Sequence, residues 1–227
     1  MTTTERKKGQ AVMLKTAYIF DMDGVLVDSE AFYFELRMQF LREHHLPNYY
    51  PDINAYLGVD PAVEWQMMIP DAAVRQQLSA DFERFWAQHP IDYAACILPQ
   101  VPELLLDLKQ AGCRIALASV GALTEVEQML TQCQLPVTFD VVLSAADVQQ
   151  KKPAPDVYLA AVHQLKLTSR QCVAIEDSTV GIMAAKRAGL ETWAIADPRY
   201  HVDQSQADRV FTGIGAVRDF IKKQQTN

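Results

Sequence analysis

An α/β fold built on a doubly wound parallel sheet is predicted by three features of this 227-residue sequence. Short apolar runs recur along it, helical patterns separate the later runs, and polar side chains follow several runs at once. The runs are AYIF (17–20), RIALA (114–118), DVVL (140–143), CVAI (172–175) and TWAIA (192–196). Their length and β-branched content mark strands buried on both faces, which is the condition of strands in a parallel sheet.

The helical patterns carry their own stop and start signals. VPELLLDLKQAG ends on Gly112, PDVYLAAVHQLK begins at a proline, and STVGIMAAKRAG ends on Gly189. In the last of these Ser178 suits the N-cap, Lys186 and Arg187 fall in the final turn, and Gly189 suits the C-cap. Strand–helix alternation of this kind reads as a parallel α/β sheet. One region interrupts it: residues 30–96 hold no strand pattern. AFYFELRMQFLREHH, PAVEWQMMI and AAVRQQLSADFERFWAQH read as helices, so a helical insertion follows the first strand. The expected organisation is therefore a flexible leader over 1–15 (with Met13 a second candidate start), a core over 16–29 and 97–227, and the insertion over 30–96.

Composition narrows the function. A formal charge of −7 disfavours a nucleic-acid or anionic-membrane surface. No apolar run approaches the ~20 residues of a membrane span, and the polar N-terminus lacks the apolar segment of a secretory signal. Cys96, Cys113, Cys133 and Cys172 form no C-x-x-C pair, which fits a reducing cytosol and neither a zinc site nor a disulfide framework. A cytoplasmic monomer acting on a small molecule is the expectation, with no nucleic acid and no membrane.

Ligands in such sheets sit beyond the carboxyl ends of the strands. Asp21 and Asp23 follow the first run, with Gly24 next; Ser119, Val120 and Gly121 follow RIALA; Glu176 and Asp177 follow CVAI; Lys151 and Lys152 precede the helix at PDVY. Singly, each is ordinary: aspartates after strands cap turns, Ser119 and Ser178 cap helices, and a lysine pair sits in a solvated loop. Together they form a set with a shared chemistry. Clustered hard oxygens suit Mg²⁺. A carboxylate can attack phosphorus, and a second can protonate the leaving alkoxide and then activate water. A lysine, a serine hydroxyl and backbone N–H groups can hold the phosphoryl oxygens.

On these residues the chain resembles the haloacid dehalogenase superfamily, and within it the phosphatases with a helical cap related to β-phosphoglucomutase. DMDGVLVDS matches the D-x-D-G motif, LASVG the serine motif, KKPAPDVY the lysine motif and IEDSTVGIMAAKRAG the acidic motif, in order over residues 16 to about 196. The resemblance implies a strand order 5-4-1-2-3. It implies that Asp21 is the nucleophile and a Mg²⁺ ligand, and that Asp23 is the general acid/base, giving the metal its backbone carbonyl. Ser119, with the Val120 and Gly121 backbone, holds the phosphoryl group. Lys152, not Lys151, orients Asp21; Asp177 binds the metal, with Glu176 doing so directly or through water. Two departures stand out: Gln100 follows Pro99 where glycine is frequent, implying a stiffer hinge, and the serine motif reads Ser-Val-Gly, leaving backbone N–H groups in place of a side-chain donor.

Among the chemistries of this superfamily, Asp23 speaks against dehalogenation, which needs no proton for a leaving alkoxide. Phosphonoacetaldehyde hydrolysis needs a cap lysine, and no lysine lies between Lys15 and Lys109. A phospho-receiver domain lacks the insertion, and a non-catalytic binding protein would not keep the whole set. Phosphate-monoester hydrolysis is the expectation, with sugar-phosphate mutation of the β-phosphoglucomutase type as the alternative. Those mutases carry a K-G-x-x-R cap pattern and a histidine ten residues after the second aspartate; here Leu57 and Pro61 flank Gly58, and Tyr33 takes the histidine's place. Arg37, Arg42, His44, His45, Arg75 and Arg84 of the insertion are of a type that can read a sugar or carboxylate, but are expected on solvated helix surfaces.

Overall fold

The structure, a computed structural model, describes residues 14–225. Six strands form one parallel sheet: β1 (Ala17–Phe20), β2 (Arg114–Ala118), β3 (Val141–Leu143), β4 (Cys172–Glu176), β5 (Glu191–Ile195) and β6 (Arg209–Phe211). Their order is β3-β2-β1-β4-β5-β6. The five expected strands take the expected order, and β6 adds a sixth beyond β5. β6 escapes sequence reading because it is a three-residue edge strand with Arg209 and Val210 exposed, so it has no apolar run to display.

Alternation along the strands builds two hydrophobic layers. Tyr18 and Phe20 of β1 pack with Ile115, Leu117, Val173, Ile175 and Trp193 on one face. There they meet α5 (Val101–Gln110), α6 (Leu123–Cys133) and α9 (Ile214–Gln225), through Leu104, Val126 and Val217 among others. Ala17 and Ile19 point to the opposite face, where Tyr158 and Ala161 of α7 (Asp156–Gln164) and Ala184 of α8 (Thr179–Arg187) cover them. All four β1 residues are fully buried, which makes β1 the central strand in exposure as well as in order. Ser178 caps α8, its Oγ accepting from the Gly181 N–H at 3.1 Å, and Gly189 ends it at φ +74°. Cys113 and Cys172 are buried in the two layers as small apolar groups.

Between β1 and α5 lie α1 (Glu30–Glu43), α2 (Pro61–Met68), α3 (Ala72–Gln88) and the single turn α4 (Tyr93–Cys96). The first three enclose a separate core of Leu36, Phe40, Tyr56, Met68 and Phe85, with Phe82 stacked on Trp65 at 4.4 Å. Ile91 and Tyr93 already belong to the sheet's hydrophobic layer, so the chain rejoins the sheet before residue 97. Gln100 adopts φ +67°, a conformation glycine reaches at lower cost; its amide rests against Gly215, where an added Cβ would lie 3.0 Å away. Of the expected leader, residues 1–13, Met13 included, lie outside the described residues. Lys15 is anchored, its Nζ donating to the Arg170 carbonyl at 2.9 Å and pairing with Glu191 at 3.0 Å.

Candidate active site

Strand order decides what can meet. From β1 the parallel strands are added outward on both sides, β2 then β3 on one and β4, β5 and β6 on the other, so the crevice beyond β1 and β4 is the topological switch point. The ladder extends one residue past the strands: Asp21 N–H donates to Ile175 O at 3.0 Å, and Ser119 N–H to Leu143 O at 3.1 Å. These bonds fix Asp21 between Ser119 on the β2 side and Glu176–Asp177 on the β4 side. An open cavity of about 790 Å³ lies above, between the sheet edge and the helical insertion. Asp21, Asp23, Ser119, Val120, Gly121, Lys152 and Asp177 all line it, and Glu176 sits fully buried behind them.

The exit from β1 needs Gly24 for two reasons. Its φ is +70°, and a Cβ there would stand 2.1 Å from Asp177 Oδ2. Gly24 N–H closes the turn on Val27 O at 2.8 Å, which turns the chain toward Ser29. Ser29, completely buried, donates its hydroxyl to Asp23 Oδ1. On the β2 side, Gly121 N–H donates to Ser119 Oγ at 3.0 Å and fixes the hydroxyl's rotamer.

Lys152 ties the two carboxylate groups together. Its Nζ lies 2.9 Å from Asp21 Oδ1 and 2.6 Å from Glu176 Oε1. Lys151, the residue before it, is more than half exposed and pairs at 3.8 Å with Asp60. Glu176 collects further donors: Tyr158 OH at 2.5 Å on Oε1, and on Oε2 the Asp177 N–H at 3.2 Å and the Ser178 Oγ at 3.2 Å. A carboxylate offers about four lone-pair sites. These donors occupy Glu176, and its burial is stabilised by them. Gly181 leaves room for this carboxylate, since a Cβ there would fall 2.0 Å from Oε1. Gly181→Ala should therefore lower stability by about 1–3 kcal/mol despite alanine's better helix propensity. Urea denaturation would read this, and a variant more stable than the parent would show that Glu176 shifts without cost.

The electrostatics follow from burial and crowding. Burial raises the Asp21 carboxyl to about 7, with Glu176 adding to the rise and Lys152 opposing it. Burial raises Asp23 to about 6, with the Ser29 hydroxyl opposing and Glu30 and Glu125 adding. Asp177 is pushed well above the carboxylate range by burial, then by Glu176 and Asp21. Burial would lower Lys152, but Asp21 and Glu176 outweigh it and hold the ammonium above its ordinary range. Carboxylate oxygens of Asp21, Glu176 and Asp177 lie within 4.8 Å of one another. An all-oxygen set of this density fits a hard divalent cation such as Mg²⁺.

Two side chains of the site, Tyr158 and Ser29, had no role in the sequence reading. Tyr158 and Ser29 steady Glu176 and Asp23; a tyrosine inside the lysine motif was the visible signal for the first. Tyr33 stacks on Trp86 at 5.3 Å and shares a 2.9 Å hydrogen bond with Tyr93. Arg37, expected on a solvated surface, is buried and ion-paired with Glu64. The other insertion cations stand apart: Arg75 donates to the Ile69 and Pro70 carbonyls, and Arg42 and Arg84 pair with exposed carboxylates.

Similarity to known proteins agrees with this geometry. Hexitol phosphatase B of Escherichia coli (strain K12) is 31% identical over 208 residues, covering 82% of this chain and 86% of its own. The phosphorylated carbohydrates phosphatase of Thermotoga maritima is 30% identical over 178 residues, covering 77% and 82%. The crystal structure of β-phosphoglucomutase from Clostridium difficile superposes with a TM-score of 0.73, covering 94% of this chain and 98% of that one; at 18% identity it speaks for the fold alone. The haloacid dehalogenase-like hydrolase family model matches residues 18–195, a span that holds every residue of the crevice described above, and the chain belongs to that family.

Proposed function

We propose that the protein is a Mg²⁺-dependent, cytoplasmic phosphatase that hydrolyses a small phosphorylated metabolite of the sugar-phosphate kind through an aspartyl-phosphate on Asp21. The observation that carries this reading is the placement of Asp21 beneath the cavity, with Lys152 on one oxygen and Asp177 and Ser119 on either side. The names of the two relatives support it.

Lys152 engages Oδ1 of Asp21, so Oδ2 is the oxygen that attacks phosphorus. The bond from phosphorus to the leaving oxygen breaks as the Asp23 carboxyl gives that oxygen its proton. Asp23, now a carboxylate, then takes a proton from water as the water oxygen attacks the phosphoryl group, releasing inorganic phosphate and restoring Asp21. Burial that holds Asp23 near 6 suits a group that must act as acid and then as base near neutral pH. Ser119 and Lys152 hold the phosphoryl oxygens. Asp21 and Asp177, with the Asp23 carbonyl, would hold Mg²⁺, whose charge would balance the carboxylates and the incoming phosphate. Glu176, whose oxygens already accept from Lys152, Tyr158, Asp177 and Ser178, orients Lys152 from below and would reach the metal through water. The helical insertion serves as a cap, tied to the core by Asn54 Oδ1, which accepts from the His201 N–H at 2.7 Å.

Chelation should abolish p-nitrophenyl phosphate hydrolysis, and Mg²⁺ should restore it. At a hundredfold excess over its dissociation constant Mg²⁺ should also raise Tm by about 5–10 °C. Asp177→Asn should lose most of that rise while remaining folded. Full turnover after exhaustive chelation would contradict the metal requirement.

Hydrolysis is favoured over the mutase alternative by what the cap lacks. Leu57 and Pro61 occupy the positions of two phosphate-gripping cations, and Pro61 is the first residue of α2 with Asp60 as its cap. Two missing charge-assisted bonds of about 1.5–3 kcal/mol each would weaken the grip on a doubly phosphorylated intermediate. Incubation with β-glucose 1-phosphate, Mg²⁺ and a trace of glucose 1,6-bisphosphate should release inorganic phosphate. Efficient conversion to glucose 6-phosphate without phosphate release would reverse the assignment.

A further inference from the structure

The cavity continues past the phosphoryl site into the helical insertion, and its far wall has a composition of its own. Glu30, Tyr33 and Arg37 of α1 all line it, at the spacing that puts side chains on one helix face. Arg37 is seven residues beyond Glu30, about 10 Å along the helix at 1.5 Å per residue. Its guanidinium is buried, pairs with Glu64 through Nη2, and lies 5.5 Å from the Tyr56 ring centre and 6.0 Å from that of Trp86. Two polar atoms here, Arg37 Nη1 and Tyr56 OH, are buried with no hydrogen-bond partner among the described residues. Orphaned donors of this kind are costly to keep unless something that enters the site accepts from them.

The charge balance of the cavity is one-sided. Three cations line it, and each faces a carboxylate: Lys152 faces Asp21 and Glu176, Lys151 faces Asp60, and Arg37 faces Glu64. Glu30, Glu83 and Glu125 add further negative charge to the same walls. Among the described residues, then, the far end offers no surplus positive charge to a second phosphate or a carboxylate. It offers guanidinium and carboxylate groups side by side, and aromatic faces of Trp86 and Tyr33. Such a surface matches alternating hydroxyl groups and C–H faces.

We propose that the Arg37–Glu64 pair is the specificity element of the cavity: it hydrogen-bonds the hydroxyls of an uncharged, polyhydroxylated leaving group in the part of the cavity walled by the helical insertion and rejects leaving groups that carry a second anion. This rests on the phosphatase reading above and adds the selecting residues and the charge of the leaving group. A two-carbon acid phosphate is disfavoured twice, having no hydroxyls for the pair and carrying a carboxylate.

The test compares kcat/KM for glucose 6-phosphate, sorbitol 6-phosphate, glucose 1,6-bisphosphate and phosphoglycolate, each divided by that for p-nitrophenyl phosphate, in the parent and in Glu64→Gln. The parent should favour the two monophosphates over the bisphosphate and phosphoglycolate. Glu64→Gln should lower the monophosphate ratios about tenfold or more, mainly through KM, and raise the bisphosphate-to-monophosphate ratio about tenfold, because Arg37 is released from its counter-charge. Should the single variant unfold, the pair of changes Arg37→Met with Glu64→Met removes both charges together. That double variant should lose the monophosphate preference without gaining the bisphosphate. A parent that favours phosphoglycolate or the bisphosphate overturns the proposal, as does a variant in which all substrates fall by the same factor, the mark of a merely structural pair. Failure of the parent to hydrolyse even p-nitrophenyl phosphate with Mg²⁺ would instead overturn the phosphatase reading.

Discussion

Asp21→Asn is expected to abolish phosphate release from any ester while leaving the fold intact. An amide oxygen is a poor nucleophile and a weak ligand for a hard cation, and removing a nucleophile lowers kcat by about 10⁴-fold or more. The fold should survive because asparagine preserves the shape of the side chain and Lys152 keeps Glu176 at 2.6 Å. One fewer carboxylate in the buried group of Asp21, Glu176 and Asp177 also relieves mutual repulsion. Steady-state phosphate release and a thermal melt in chelator are the two measurements. Parent-like turnover would require another nucleophile, and collapse of the fold would mean that Asp21 is needed for structure.

The second large effect is expected from Asp23→Asn, and it should depend on the leaving group. An alkoxide needs a proton as it departs, so phosphoenzyme formation from an alkyl phosphate should slow by about 10²–10⁴-fold. p-Nitrophenolate leaves without one. With the aryl ester the variant should therefore show a burst of p-nitrophenolate approaching one equivalent, followed by slow turnover, since water activation also passes through Asp23. Stopped-flow absorbance resolves the two phases. Equal losses for aryl and alkyl esters in the burst phase would argue against a role as acid.

The core was legible because its determinants are local. AYIF, RIALA and CVAI announce buried strands by composition, and each hands a polar residue directly to the sheet edge; the strand order that the family resemblance implied then converges Asp21, Ser119 and Glu176–Asp177. Lys152 was separable from Lys151 only by motif register, and the structure shows why the two differ: one is enclosed by Asp21 and Glu176, the other stands exposed. What was not legible depends on partners distant in sequence. Arg37 sits on a helix where arginine is ordinarily solvated, and only the packing of α2 and α3 brings Glu64 and Trp86 against it. Glu176 reads as one half of an acidic pair, yet Tyr158 and the space left by Gly181 make it an enclosed acceptor. β6 is held by pairing with β5 and by no apolar signal of its own.

The covalent claim is tested most directly by trapping. Asp23→Asn, mixed with p-nitrophenyl phosphate and Mg²⁺ and quenched in acid within the burst, should gain the mass of one phosphoryl group. Peptide mapping should place that group on the segment containing Asp21, and hydroxylamine should remove it, as expected for an acyl phosphate. A phosphoryl group on Ser119, or a full burst with no covalent adduct, would contradict catalysis through Asp21.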